Sequence, residues 1–176
     1  MATRPITDRV KQSLFDALSV AVGFHGARVL DVFAGTGSIG LECLSRGAME
    51  AIFMERDRHA LLALRNNIEA LGVKAKSQVL ATDVFARGDI WGGGMGRFDL
   101  IFFDPPYPLF DDARSAKEID TVMTNAASNA LAQNGVLLLR TPAGLDVQKL
   151  RIGALIRRRQ EYGSMAINWL ASGDLG

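Results

Sequence analysis

The sequence predicts an α/β fold, an open and mostly parallel sheet with helices on both of its faces. Short apolar runs alternate with longer segments of helical period, the order in which strands and crossover helices follow one another in such sheets. A glycine-rich turn follows the first of those runs and opens a helix. At 176 residues the chain is the size of one domain, long enough to bury roughly 70% of its unfolded surface around a single core. We therefore expect one domain over 1–176, with residues 1–22 as a helical segment leading into it.

That first helix is expected to begin near Thr7, a good N-cap with Asp8 in the following turn, and its apolar positions Val10, Leu14, Ala17 and Leu18 share one face. "RVLDVF" (28–33), "EAIFME" (50–55), "SQVLA" (77–81), "FDLIFFD" (98–104) and "GVLLLR" (135–140) read as buried parallel strands. Helices fill the gaps at 38–46, 57–71 and about 115–132; in the second of these Leu61, Leu64, Ile68 and Leu71 repeat at threes and fours. "ALIRRRQEY" and "SMAINWL" flank Gly163 as a final antiparallel hairpin, and "WGGGMGR" (91–97) reads as a surface loop.

Composition excludes several function classes. Twenty Lys and Arg against 19 Asp and Glu give a formal charge of +1, so no global field attracts a nucleic acid and any such contact rests on a local patch. The single cysteine, Cys43, rules out an internal disulfide and reads as helix packing; with only His25 and His59 beside it, no metal-ligand cluster is visible and no metal is expected. The N-terminus lacks an apolar signal region, and no segment approaches the roughly 18 apolar residues of a membrane span. We expect a cytoplasmic protein with no membrane contact.

"DVFAGTGSIG" places Gly35, Gly37 and Gly40 in a G-x-G-x-x-G pattern between a strand and a helix. Glycines there let the backbone turn tightly and let a ligand approach, while the helix N-terminus directs unpaired N–H groups at the same place. Glu55 closes the second strand, where an acid can accept from ribose hydroxyls. Asp31, four residues before Gly35, would repel the pyrophosphate of a dinucleotide but suits the ammonium and sulfonium charges of S-adenosylmethionine. In "ATDVF", Asp83 is placed to accept from the adenine amine and Val84 to pack on the ring; the alternative for Asp83 is the cap of a short turn.

"FFDPPYP" ends the strand expected beside the glycine-loop strand. Pro105 and Pro106 fix the backbone and offer carbonyls without N–H donors, Asp104 adds an acceptor, and Tyr107 adds a flat ring. Together they suit a planar base bearing an exocyclic amine. Such an amine is a poor nucleophile, and orienting it can contribute about 7 to 11 kcal/mol. Stacking on Tyr107, at roughly 1 to 3 kcal/mol per base, offsets much of the cost of extruding the base.

These residues resemble those of a class I S-adenosylmethionine-dependent methyltransferase carrying the D-P-P-Y motif of amino-methyltransferases. "RPITDRVKQSLFDAL" (4–18), "LDVFAGTGSIGLECLSRGA" (30–48), "ERDRHALLALRNNI" (55–68) and "FDPPY" (103–107) are similar to the RsmD family of ribosomal RNA guanine-N2 methyltransferases. The resemblance covers nearly the whole chain. It implies a Rossmann-like, seven-stranded sheet with the last strand antiparallel, a reactive pocket at Asp104 to Tyr107, and a guanine N2 in small-subunit ribosomal RNA or a ribosomal particle as acceptor. Family members usually carry a basic, glycine-containing strand segment ahead of the R-P motif, which here begins at Arg4. Fewer phosphate contacts then favour a structured particle over naked RNA.

Arg4, Arg9 and Lys11 are the candidate substrate-binding cations, with Arg56 and Arg58 nearby; a solvated helix face is the alternative. Arg157, Arg158 and Arg159 lie on a strand, point alternately to both faces and form no single patch. Competing functions are a DNA adenine-N6 methyltransferase, a methyltransferase of protein or small molecules, and a subunit that only binds the cofactor; an intact D-P-P-Y argues against the last.

Overall fold

The structure is a computed structural model and describes residues 8–86 and 95–171. Its sheet has seven strands in the order β3-β2-β1-β4-β5-β7-β6. These are β1 (Arg28–Val32), β2 (Glu50–Glu55), β3 (Ser77–Ala81), β4 (Phe98–Phe103), β5 (Leu131–Pro142), β6 (Ile156–Tyr162) and β7 (Met165–Ala171). The first five run parallel, while β7 is antiparallel to β5 and β6 to β7. The chain steps outward from β1 to β3, then returns to place β4 on the other side of β1. This reversal opens a crevice at the carboxyl ends of β1 and β4, where open α/β sheets bind ligands.

Side-chain alternation with period two sorts the core into two layers. Val29, Phe53, Leu100, Phe102, Val136, Leu138 and Trp169 pack on one face against Leu14, Phe15 and Leu18 of α1 (Asp8–Ala21), Leu41 and Leu44 of α2 (Ser38–Ser45) and Leu64 and Ile68 of α3 (Arg58–Ala70). On the opposite face Leu30, Val32, Ile52, Met54, Ile101, Phe103, Leu137 and Leu139 meet Ile119, Val122 and Met123. These last three belong to α5 (Ala113–Asn125), which follows the short α4 (Pro108–Asp111). The same alternation directs Asp31 to the face that α1 to α3 cover. Asp57 caps α3 by accepting the Ala60 N–H at 2.8 Å.

Some elements differ from their sequence-based bounds. The helix expected over 115–132 ends at Asn125; a wide turn covers Ala126–Ala130, and β5 begins at Leu131, four residues ahead of the apolar run. Leu131 is buried opposite Phe98, and the register then slips so that Leu100 faces Val136. Asn134, at φ 66°, absorbs that bulge. Leu71 stands at the C-cap of α3 and is exposed rather than part of its buried stripe. Thr7 and most of the glycine-rich loop 91–97 lie outside the described residues.

The three arginines of β6 each have a local partner. Arg159 donates to Asn168 Oδ1 and to the Ala143 carbonyl, Arg158 lies 5.5 Å from the Trp169 ring centroid, and Arg157 donates to the Ala154 carbonyl. Among the described residues no helix is long and apolar enough to cross a membrane. Asp120, buried on α5, accepts the N–H groups of Arg151 at 3.0 Å and Ile152 at 2.9 Å, tying the β5–β6 connection to the helix layer. Asp120→Ala leaves these donors without their acceptor and is expected to lower stability by about 1 to 3 kcal/mol, read as a lower urea midpoint at unchanged slope.

Candidate functional site

The backbone leaves β1 through three residues of positive φ, Phe33 (62°), Gly35 (56°) and Gly37 (82°), and enters α2 at Ser38. A Cβ on Gly35 would meet nothing within 4 Å, so this glycine serves the turn and leaves open space beside it. At Gly37 and Gly40 the added atom would lie 2.4 Å from Leu64 Cδ1 and from Phe53 Cε1 respectively. Those two glycines therefore let α2 press onto the sheet and α3. Gly37 is the N-cap of α2 and has no side chain to satisfy the helix's first N–H groups; that of Gly40 goes to Asp31, which leaves those of Ser38 and Ile39 to meet an acceptor.

Asp31 is 2% exposed and accepts the Gly40 N–H at 2.9 Å. Burial pushes its carboxyl up to about 8; the negative charges of Asp104 and Glu55 act in the same direction, and the Gly40 N–H against it. The sequence left Asp31 without a structural purpose, and the Gly40 bond supplies one. It leaves the desolvation cost of the charge largely uncompensated, which a cation in the crevice would relieve.

Glu55 ends β2 with Oε2 accepting the Gly35 N–H at 2.8 Å and Oε1 accepting those of Arg56 and Asp57 at 2.7 and 2.8 Å. Three backbone donors thus fix the carboxylate, and Oε2 retains a lone pair for a hydroxyl. Asp83, expected either to read an adenine amine or to cap a turn, does cap one: Oδ1 accepts the Phe85 N–H at 3.0 Å. Its Oδ2 is paired with Arg56 Nη1 at 2.7 Å. Val84 is buried in the core. The half-buried apolar side chain at this edge is Phe85, whose ring centroid is 6.2 Å from that of Phe33.

On the other side of β1, the Asp104 N–H donates to the Val32 carbonyl at 3.3 Å, so the loop after β4 starts level with the glycine turn. Pro105 is buried and Pro106 exposed. The carbonyls of Pro106 and Tyr107 accept from Leu109 and Phe110 as α4 begins, which removes part of the acceptor set expected of the two prolines. Asp104 supplies the acceptor instead. Burial raises its carboxyl to about 6 and the Arg140 guanidinium opposes the rise. Burial likewise raises the Tyr107 hydroxyl.

Arg140 is the functional candidate that sequence reasoning missed. It closes the central run of β5, is 2% exposed, and lies with Nε 2.7 Å from Asp104 Oδ1. The two atoms are ion-paired, but the N–H is misaligned for a hydrogen bond. The guanidinium also lies 5.6 Å from the Tyr107 ring centroid. An arginine ending the apolar "GVLLLR" was the available signal. Of the expected substrate cations, Arg9 is exposed on α1 and Lys11 pairs with Glu42 at 3.4 Å while reaching Asp31 electrostatically. Arg4 lies outside the described residues.

The family model described as "Conserved hypothetical protein 95" matches residues 1–170. The chain belongs to this family. Among curated relatives, proteins named "Ribosomal RNA small subunit methyltransferase D" bear out the resemblance to the RsmD family. That of Escherichia coli K12 is 44% identical over 104 residues, covering 59% of this chain and 50% of the relative. That of Haemophilus influenzae is 34% identical over 104 residues, covering 59% and 53%. The chain spans about half the length of these curated relatives. Among solved structures, a hypothetical protein of Thermus thermophilus superposes with a TM-score of 0.76 at 28% identity, over 96% of this chain and 88% of that one. SMU.776, a structure complexed with SAH, shares the fold at TM-score 0.74 and 16% identity, over 94% of this chain and 50% of that one. The Rossmann-like fold with its antiparallel last strand is thus common to this chain and methyltransferase structures.

The Asp31 carboxyl binds its proton more tightly in the fold than in the unfolded chain, so stability is greatest below about pH 4 and falls as pH rises toward about 8. Asp31→Asn cannot ionise. We expect it to raise the urea midpoint of the ligand-free protein at pH 7.5, with the difference from wild type shrinking as pH is lowered toward 4.

Proposed function

We propose that this chain transfers a methyl group from S-adenosylmethionine to the exocyclic N2 amine of a guanine in small-subunit ribosomal RNA. One observation carries the reading: the Asp104-Pro105-Pro106-Tyr107 loop and the glycine turn open on one crevice, with Asp31 and Glu55 on the same face of the sheet. The names of the small-subunit relatives support the class of RNA. The site also fits the donor. A buried carboxylate at Asp31 suits a cation, the space beside Gly35 admits a ligand against the backbone, and the uncapped start of α2 offers donors to a carboxylate.

When bound, S-adenosylmethionine supplies an electrophilic methyl group whose C–S bond breaks with the electron pair left on sulfur. The residues do the rest. Asp31 would face the cationic end of the donor, Oε2 of Glu55 would accept from a ribose hydroxyl, and Asp83 and the half-buried Phe85, rather than the buried Val84, would border the adenine, which requires Arg56 to share the Asp83 carboxylate. Asp104 accepts an amine hydrogen and turns the nitrogen lone pair toward the methyl carbon, while Tyr107 stacks on the base. After the N–C bond forms, the nitrogen carries a positive charge and releases a proton. Asp104, with its carboxyl near 6, is placed to receive it and pass it to solvent. Arg9 and Lys11 of α1, with Arg4 ahead of them in the sequence, are the cations assigned to RNA phosphates.

Asp31→Ala and Glu55→Ala are each expected to weaken cofactor binding by about 1.5 to 3 kcal/mol in calorimetric titration. Asp104→Ala and Tyr107→Ala should instead abolish or severely slow transfer at nearly unchanged cofactor affinity. The acceptor is identified by mass spectrometry of nucleosides from small ribosomal subunits and protein-free transcripts, with N2-methylguanine expected and particles preferred. N6-methyladenine as the sole product, or modification of duplex DNA alone, would replace this reading with a DNA methyltransferase.

A further inference from the structure

We propose that Arg140 is a positioning residue of the acceptor pocket, holding the carboxylate of Asp104 and the ring of Tyr107 in the arrangement that receives the amine. The inference rests on the reading of that loop as an amine pocket. It begins from an energetic oddity. Burying a guanidinium is costly unless its donors are paired, and an apolar side chain of similar size is often as stable or more so. Arg140 is 2% exposed, yet its buried Nε makes no hydrogen bond, and its ion pair, at 2.7 Å to Asp104 Oδ1, is misaligned. Packing alone gives no reason for an arginine here.

The surroundings supply one. Asp104 faces Asp31 from β1 and, beyond it, Glu55 at the end of β2; Lys11 approaches Asp31 from α1; Tyr107 lies on Asp104's own loop; and Arg140 enters from β5. Arg140 is the one cation in contact with Asp104 among the described residues and also spans to the Tyr107 ring at 5.6 Å. With Oδ1 held by Arg140, Oδ2 is the oxygen presented to the amine, and the cation–π contact limits the tilt of the ring on which the base stacks. The planar guanidinium meets both at once, which a lysine ammonium does not.

The charge has a consequence for pH. Burial raises the Asp104 carboxyl and Arg140 lowers it, leaving it at about 6. Removing the cation lets burial act with less opposition, so the carboxyl rises further and the ionised fraction at a given pH falls. An opposite charge at this distance is worth about 1 to 3 pH units.

Carboxyl ¹³C NMR of ¹³C-aspartate-labelled protein tests this without any acceptor, Asp104 being assigned through Asp104→Asn. The wild-type resonance is expected to titrate near 6, that of Arg140→Met higher by about 1 to 3 pH units, and that of Arg140→Lys between the two. Should Arg140→Met fail to fold, Arg140→Gln takes its place. Single-turnover methylation of unmodified small ribosomal subunits at saturating S-adenosylmethionine should show an acid limb displaced by the same interval, and Arg140→Lys should regain the limb but not the full plateau. Cofactor affinity should be unchanged in all variants. An unmoved Asp104 titration, or a slower reaction with an unmoved acid limb, overturns the positioning role. If wild type is inactive on subunits, the functional reading fails while the NMR titration still decides the role of Arg140.

Discussion

Like charges brought together out of water repel, and this chain brings three carboxylates to one crevice. Parallel strands end at one edge of the sheet, and period-two alternation decides which side chains share a face. Asp31 continues the register of Val29, Glu55 that of Phe53, and Asp104 that of Phe102, so their convergence follows from the same pattern that packs the core. The repulsion is managed differently at each. Glu55 is surrounded by three backbone N–H groups and Asp104 is faced by Arg140. Asp31 has one N–H and the deepest burial, and its carboxyl rises further than that of Asp104. The residue with least internal compensation is the one set to gain most from a cationic ligand.

The strands were legible because each is an apolar run bounded by turn residues, and the site was legible where its chemistry is local. The glycine turn, Asp31, Glu55 and the Asp104–Tyr107 loop are each contained in about ten residues of sequence. Their assembly at the β1–β4 reversal follows from topology alone. The end of α5 was not legible, because the helical apolar pattern of 115–130 runs on into a strand that starts before its apolar run does. What fixes Leu131 as strand is its pairing with Phe98, more than thirty positions away.

Long-range partners explain what else was missed. Arg140 joins Asp104 across two neighbouring strands, and Arg56 joins Asp83 across the ends of β2 and β3. No spacing rule within a segment reveals such pairs. Asp83 also shows that two readings of one acid are not exclusive. It caps the turn before Phe85 with Oδ1, while Oδ2, paired to an exposed arginine, is the oxygen a ligand can compete for. An exposed ion pair contributes little to stability, so giving up Arg56 costs little.

The two halves of the crevice differ in the same respect. On the β2–β3 side the carboxylates are held by backbone donors or by exposed, easily exchanged side chains, which suits a small ligand that enters and leaves. On the β4–β5 side Asp104 is held by a buried guanidinium that solvent cannot readily replace. In the methyl transfer we propose, a nucleophile that must meet a methyl carbon along one line needs its acceptor fixed before it arrives, since any reorientation during the reaction adds to the barrier. Placing the rigid ion pair on the proposed acceptor side and the exchangeable contacts on the proposed donor side meets both requirements within one sheet edge.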